Sequence, residues 1–459
     1  MKKINLISLL TILVLTVSVQ GTRAANSKNI TGIWLGSMKV SEAVELQVGY
    51  VISDAIGGSL AATMNIIEQK AFDIPMDSVL FENDSVKILF QAAGISYIGE
   101  YSSEEKLIRG HYIQGEAKLE LNLRPVEKLP GEVIRTQTPV GPFPYNEEEV
   151  VFENAEANVK LSGTLTIPKT GSEFPAVILV HGSGHTDRNE TKMGHFMLLS
   201  DYLTRNGFAV LRFDKRGVGQ STGSYDEATT IDFAEDVEAG ISWLKSRDDI
   251  DNENIGILGH SEGTLIAPMV ASKQDDISFL ILMGAMGANG GEIRVQQTQI
   301  ISALNGVPQD EIDKNIEEIN GYHKVLKTDY SRDSKFNTIK RMYPDLSDGM
   351  INYFLKPWYT TFIQLDPVEF IEKVHCPVLV LSGENDVQCP PEENLPLIES
   401  ALKKAGNANY IVKSLPELNH LFQTSKTGLP MEYENIAEII APSALELILD
   451  WLLTNSKNS

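Results

Sequence analysis

Ile255-Gly256-Ile257-Leu258-Gly259-His260-Ser261-Glu262-Gly263 is a short apolar run that ends abruptly in G-x-S-x-G, and an apolar, helix-compatible segment, Thr264 to Ala271, follows at once. The pattern reads as strand, sharp turn and helix, with a serine at the apex. Its logic is steric. A strand that turns straight into a helix forces its apex residue into a strained backbone conformation, and small neighbours two positions either side let the two arms approach. The hydroxyl of Ser261 is then thrust clear of the sheet, and the helix N-terminus beneath it favours developing negative charge. Five residues alone are a weak signal, so the rest of the chain must supply partners.

An exposed serine is a poor nucleophile. It needs a base to take its proton, a third group to orient that base, and backbone donors where the oxyanion develops. The chain has eight His. His111 falls in an all-β region. His181, His185, His195 and His260 precede the serine, His323 sits in a helical stretch, and His375 opens a strand at the wrong end for the site. That leaves His420, just past the last expected strand. The acid is Asp386, which follows the apolar strand Val378 to Leu381 and so falls at the carboxyl edge, where ligands collect in parallel sheets. Glu384 is its rival. The oxyanion donors are the amide of Glu262 and one from the glycine loop His181-Gly182-Ser183-Gly184; Ser183 is preferred, with Gly182 the alternative.

The surrounding pattern is that of an α/β fold. From 148 onward strands and helices alternate, the mark of a largely parallel sheet. An antiparallel pair (149–152 and 160–167) opens it, and strands are expected at 176–180, 209–213, 279–283, 378–381 and 410–412. Helices are expected at 196–206, stopped by Gly207, and at 232–245, with Phe233, Val237 and Trp243 inward. A C-terminal helix ends in Trp451-Leu452-Leu453. Between 287 and 372 the alternation gives way to helical spacing, with Ile312, Ile316 and Ile319 at i, i+4 and i+7. A long insertion at the end where the serine emerges is expected to be a lid. Its aromatic cluster, Tyr353, Phe354, Trp358, Tyr359 and Phe362, reads as lid core or as an apolar wall for an acyl or alcohol group.

Upstream, residues 28–127 read as a small antiparallel β-domain, a meander or barrel, from alternation such as Val44, Leu46, Val48, Tyr50 and Ile52 between glycine turns; Trp34 reads as core. The prolines at 125, 130, 139, 142 and 144 mark a linker, set at 128–147. Residues 1–24 read as a secretory signal: Lys2 and Lys3, an apolar run from Ile4 to Val19, and a small-residue cleavage site at Thr22-Arg23-Ala24. An exported, periplasmic or secreted protein is expected, with no stable membrane insertion after cleavage.

Composition excludes other classes. At 459 residues the chain holds more than one domain, and its formal charge of −23 excludes a nucleic-acid partner. The two cysteines, Cys376 and Cys389, flank one strand and are expected as free thiols. No cofactor is expected. His181 and His185 have H-x-x-x-H spacing, but the glycines between them oppose the helix a metal pair needs, so no metal is expected. Asp214 to Gly219 lacks a dinucleotide fingerprint and reads as a turn stabilised by Asp214 and Arg216, with Asp187-Arg188 a similar structural pair. The acidic stretch 249–256 reads as a turn leading into the strand.

Taken together, Val180-His181-Gly182-Ser183-Gly184, Asp187-Arg188, Arg212-Phe213-Asp214-x-Arg216-Gly217-x-Gly219, Gly259-His260-Ser261-Glu262-Gly263, Pro357-Trp358 and Asn419-His420-x-Phe422 resemble a bacterial subgroup of α/β-hydrolase carboxylesterases. The likeness covers about 148–455. It implies the α/β-hydrolase fold, small-molecule ester substrates with short or medium acyl chains, and Ser261, Asp386 and His420 as triad. The N-terminal β-domain is similar to one found ahead of some of these enzymes. His185 departs from the subgroup, which often has a smaller or more rigid residue there. The competing readings are a serine peptidase of the same fold and a glycan- or ligand-binding protein acting through the β-domain.

Overall fold

The computed structural model describes residues 30–456, apart from 42–43, 55–58, 70, 116, 132 and 192. The expected signal segment lies outside the described residues. The chain divides into two units between residues 132 and 133.

The first unit is an antiparallel sheet of ten strands: β1 (Gly32–Lys39), β2 (Glu45–Asp54), β3 (Leu60–Ile66), β4 (Ala71–Pro75), β5 (Ser78–Glu82), β6 (Ser85–Phe90), β7 (Ile95–Ser102), β8 (Leu107–Gln114), β9 (Ala117–Glu120) and β10 (Arg124–Val126). β9 pairs with β8, Ile108 bridges Leu123, and β10 pairs with β1. One stretch, 117–126, therefore serves both ends of the sheet, which curls on itself. Trp34 is core here: it is buried and its indole donates to the Ile30 carbonyl at 2.8 Å.

The second unit opens with β11 (Tyr145–Asn154) and β12 (Val159–Pro168), an antiparallel pair. Then follow β13 (Phe174–Val180), α1 (His195–Arg205), β14 (Ala209–Phe213), α2 (Thr230–Lys245), β15 (Ile250–His260), α3 (Gly263–Ala271) and β16 (Leu280–Met283). The insertion carries α4 (Gly290–Leu304), α5 (Gln309–Leu326), α6 (Arg332–Met342), α7 (Asp348–Phe354), α8 (Pro357–Phe362) and α9 (Pro367–Ile371). β17 (Val378–Gly383), α10 (Pro391–Lys404), β18 (Tyr410–Leu415) and α11 (Pro442–Asn455) complete it. The sheet order is β11-β12-β14-β13-β15-β16-β17-β18, parallel from β14 onward.

Strand periodicity divides the core in two. Val177 and Leu179 of β13 face one cluster, roofed by Phe196 and Leu203 of α1 and Ile448 and Trp451 of α11. Ala176, Ile178 and Val180 face the other, with α2, α3 and the inner side of the insertion. Every residue of β14, β16 and β17 is buried, which is why these strands read as continuous apolar runs. Gly207, at φ 99°, ends α1 where a side chain would be strained.

Three expectations need correction. The Pro-rich stretch is not a free linker over 128–147. Leu129 is buried in the first unit, against the α-carbon of Gly49, and Tyr145 already belongs to β11. Between them Gln137 is strapped to the second unit, its side chain bonding both ways to Ile439 and Ile440. The stretch 249–256 is mostly strand, because β15 begins at Ile250, with an irregular register opposite Phe174. Asp214 and Arg216 do not pair with each other: Asp214 holds Arg188, while Arg216 is clamped by Asp236 and Asp232 on α2. Arg188 correspondingly serves Asp214 and Glu149 rather than Asp187.

Candidate active site

Ser261 stands at the end of β15 with φ 53°, a left-handed conformation that costs a non-glycine residue about 1 kcal/mol or more. Its amide donates to the Met283 carbonyl at 2.9 Å, which ties the turn to the neighbouring strand. The flanking glycines have the steric duty the motif requires. A β-carbon on Gly259 would lie 2.1 Å from the Gly263 carbonyl oxygen, and one on Gly263 would lie 2.2 Å from that of Val180.

Asp386 follows β17 and His420 follows β18, so parallel pairing of these strands brings their loops to one edge. His420 Nδ1 lies 2.7 Å from Asp386 Oδ2. The other carboxylate oxygen accepts from the amides of Gln388 and Cys389, both at 2.8 Å, which fixes the carboxylate plane. Glu384, the rival acid, is exposed, whereas Asp386 is buried. Ser261 and His420 line one cavity of about 360 Å³ between the sheet edge and the insertion.

Ser183 also lines that cavity. Gly182 N donates to Glu190 Oε1 at 2.7 Å and Gly182 O accepts from Lys215 Nζ at 2.6 Å, so the amide of Gly182 is already spent. The amides of Ser183 and Glu262 find no acceptor among the described residues. A β-carbon on Gly182 would sit 3.0 Å from that of Ser261, so a larger residue there would crowd the serine.

The family profile described as serine aminopeptidase, S33, matches residues 173–425, more than half of the chain. The chain belongs to this α/β-hydrolase family. Esterase EstD of Thermotoga maritima is 27% identical to this S33-family chain over 290 residues, 61% of the chain and 63% of that protein. An acyl transferase of Photorhabdus luminescens is 31% identical over 179 residues, 39% of the chain and 54% of that protein. The chain thus spans less than two thirds of either relative. A solved Pyrococcus furiosus esterase, Pf2001, superposes with a TM-score of 0.42 at 18% identity, over 71% of the chain and 98% of that structure.

Several groups in the S33-family site escaped the sequence reading. Glu190 is a buried hub. Besides Gly182 N it meets His260 Nδ1 at 2.8 Å and His195 Nδ1 at 3.2 Å. The far nitrogens of the two rings meet the carbonyls of His420 (3.0 Å) and Leu421 (3.2 Å). One carboxylate therefore connects the glycine loop to the loop that carries His420. Both neighbours of the His260 ring are acceptors, an arrangement that favours its protonated form. Burial would lower its pKa, but Glu190 outweighs burial and holds it above the ordinary value. Burial alone would raise Glu190, yet the two rings bring it below the usual carboxylate range. His195 is pushed down, first by burial and then by His260. These three groups present ligand atoms within 4.8 Å of one another, a spacing fit for a cation that the His181/His185 test did not address. His181 itself is packed against the Phe196 and Phe213 rings, and burial followed by Lys215 brings it down to about 4. His185 is exposed and lies against Tyr225.

Glu262 matters through its side chain as well as its amide. The carboxylate is fully buried, accepts from Thr230 Oγ1 and from the Trp358 indole of α8, each at 2.7 Å, and lies 3.5 Å from Lys215 Nζ. Gly284, at φ 62°, is the floor under the imidazole: a β-carbon there would meet His420 Cε1 at 2.9 Å. Asn419 staples the His420 loop by accepting from the amides of Leu421 and Gln423. Cys376 and Cys389 are free thiols. Among the described residues no helix is long and apolar enough to cross a membrane.

Proposed function

We propose that the protein is a serine esterase that cleaves short- or medium-chain acyl esters through an acyl-enzyme. Ser261 attacks the ester carbonyl. His420 takes its proton and returns it to the leaving alcohol, and Asp386 holds the imidazole in register. The amides of Ser183 and Glu262 receive the oxyanion. A water activated by His420 then releases the acid. The observation that carries this reading is the Asp386–His420 contact of 2.7 Å at the lip of the cavity that Ser261 enters in a left-handed turn. The esterase relative supports the ester bond as target.

A peptidase of the same fold is less well supported. A substrate's free amine needs an unspent carboxylate. Glu190, the acid that lines the cavity, is taken up by two rings and an amide, and the Lys or Arg side chain lining it is Arg294. We further propose that residues 1–24 direct export, which fractionation of cells carrying the full-length protein would test.

The central test is labelling with a fluorophosphonate followed by peptide mapping, together with hydrolysis of p-nitrophenyl esters of graded acyl length. A label on Ser261 and turnover that peaks at short or medium chains are expected. A label elsewhere, or none, sinks the assignment.

A further inference from the structure

The wall of the cavity opposite Ser261 belongs to the insertion, and its chemistry is uneven. Tyr353, Trp358, Tyr359 and Phe362 make an aromatic surface, and Trp358 and Phe362 stack with centroids 5.1 Å apart. Beside them stands Arg294, on the second turn of α4. Its guanidinium is close enough to Tyr353 and Tyr359 to act on both electrostatically.

Arg294 makes no ion pair with a carboxylate among the described residues. One hydrogen bond, to Gln297 Oε1 at 3.2 Å, uses one of its N–H groups. Arg294 is exposed, in a chain of net charge −23, whereas the buried and half-buried cations around the site are matched. Lys356 pairs with Asp226, Lys215 neighbours Glu262, and Arg188 holds Asp214. The neighbouring amides are occupied, with Gln297 Nε2 on the Gln388 carbonyl and Gln388 Nε2 on the Tyr433 hydroxyl. An apolar ester would leave the N–H groups that Gln297 does not use without a charged partner, whereas an ionised group on the substrate would engage them through charge-assisted hydrogen bonds.

We propose that the preferred substrates are anionic esters, molecules that carry an ionised carboxylate or similar acidic group which Arg294 receives while the aromatic wall takes the body. This rests on the esterase reading and adds the substrate's charge. The anion can belong to the acyl or to the alcohol portion, and matched pairs of esters separate the two. On the acyl side, p-nitrophenyl hemiglutarate is compared with p-nitrophenyl valerate. On the alcohol side, 4-acetoxybenzoate is compared with its neutral methyl ester. The readout is the ratio of kcat/KM, anionic over neutral, within each pair.

The native protein is expected to favour the anionic member by about tenfold or more in one pair, mainly through KM, and to lose the preference as salt rises. Arg294→Gln should bring that ratio to near one, and Arg294→Lys should restore part of it. Because each ratio is internal to one preparation, a general loss of folded protein does not alter it. Turnover of the neutral esters with no anionic preference in either pair, or a preference that survives Arg294→Gln, overturns this proposal and leaves the esterase reading standing. No turnover of any of these esters overturns the esterase reading and this proposal with it.

Discussion

The loops at the sheet edge and the helices of the insertion build opposite walls of one cavity by different means. At the sheet edge the groups are fixed by directional bonds. Gly182 is held through both its N–H and its C=O, Asp386 by two amides, and the His420 loop by Asn419 and by two imidazoles. In the insertion the wall is packed rings, with Trp358 stacked on Phe362 and backed by Tyr322 on Phe354, and its polar anchors are single bonds, Trp358 to Glu262 and Tyr359 to His323. The difference teaches where geometry matters. Bond-making groups cannot move by an ångström without loss of rate. An apolar wall can be refilled by rings of similar size at modest cost. Changes at the edge should therefore strike kcat, and changes in the insertion should strike KM.

The sharpest break is Ser261→Ala, which should lower kcat by at least about 10⁴-fold while the thermal midpoint is retained. Next is Glu190→Gln, which leaves two buried rings facing an amide. A loss of about 3–5 kcal/mol in denaturant unfolding is expected. Its pH signature follows from the signs. The Glu190 carboxyl is depressed in the fold, so its stabilisation is present above the ordinary carboxylate range and lost as pH falls through the folded value. His260 is raised, so its share is present below its ordinary value and lost as pH rises through the raised one. The variant should lack this stabilisation between the two; an unchanged stability–pH profile would sink the pairing.

Gly284→Ala places a methyl against the His420 ring at a backbone angle alanine resists. A fall in kcat of about 10²-fold with little change in KM is expected from steady-state kinetics. His181→Asn is smaller. Native His181 is held down to about 4, so the unfolded chain takes up a proton near its ordinary value that the fold refuses, and stability drains as pH falls. Removing the ring should flatten the loss between pH 7 and 5 by about 2 kcal/mol, read from urea midpoints. Smallest is Trp358→Phe, which deletes one bond to the buried Glu262 carboxylate. It should cost about 1–2 kcal/mol and raise KM more than it lowers kcat. A pure kcat effect there would erase the contrast between the two walls.

Much of the architecture was legible because it is periodic or local. Buried parallel strands announce themselves as apolar runs, and G-x-S-x-G states its own backbone geometry. The choice of Asp386 and His420 needed only chain order and the expected ends of β17 and β18, and the structure brings both residues to one edge. What stayed hidden was contact order. His260 meets Glu190, seventy positions away in sequence, and His195 meets the Leu421 carbonyl, 226 away. No spacing rule encodes such pairs. Lys215 was masked by its neighbours: Asp214 and Arg216 looked like partners, whereas each turns to a different element and the residue between them reaches the glycine loop. The extent of the Pro-rich stretch was misjudged for a related reason. Proline density reports local stiffness, and says nothing of a Gln137 side chain caught by Ile439 and Ile440.

Glu262 answers to two masters. Its amide is one of the proposed oxyanion donors, and its side chain accepts from Trp358 of α8 and Thr230 of α2. A lineage that reshaped the insertion around a new substrate would meet this residue as a toll gate. Discarding Trp358 leaves the buried Glu262 carboxylate to Thr230 and Lys215 alone, and discarding Glu262 leaves the Trp358 indole and Lys215 without their shared partner. Diversification of this pocket is then expected to proceed in compound steps, with positions 215, 230, 262 and 358 exchanged as a set, while the ring-lined remainder of the wall drifts freely.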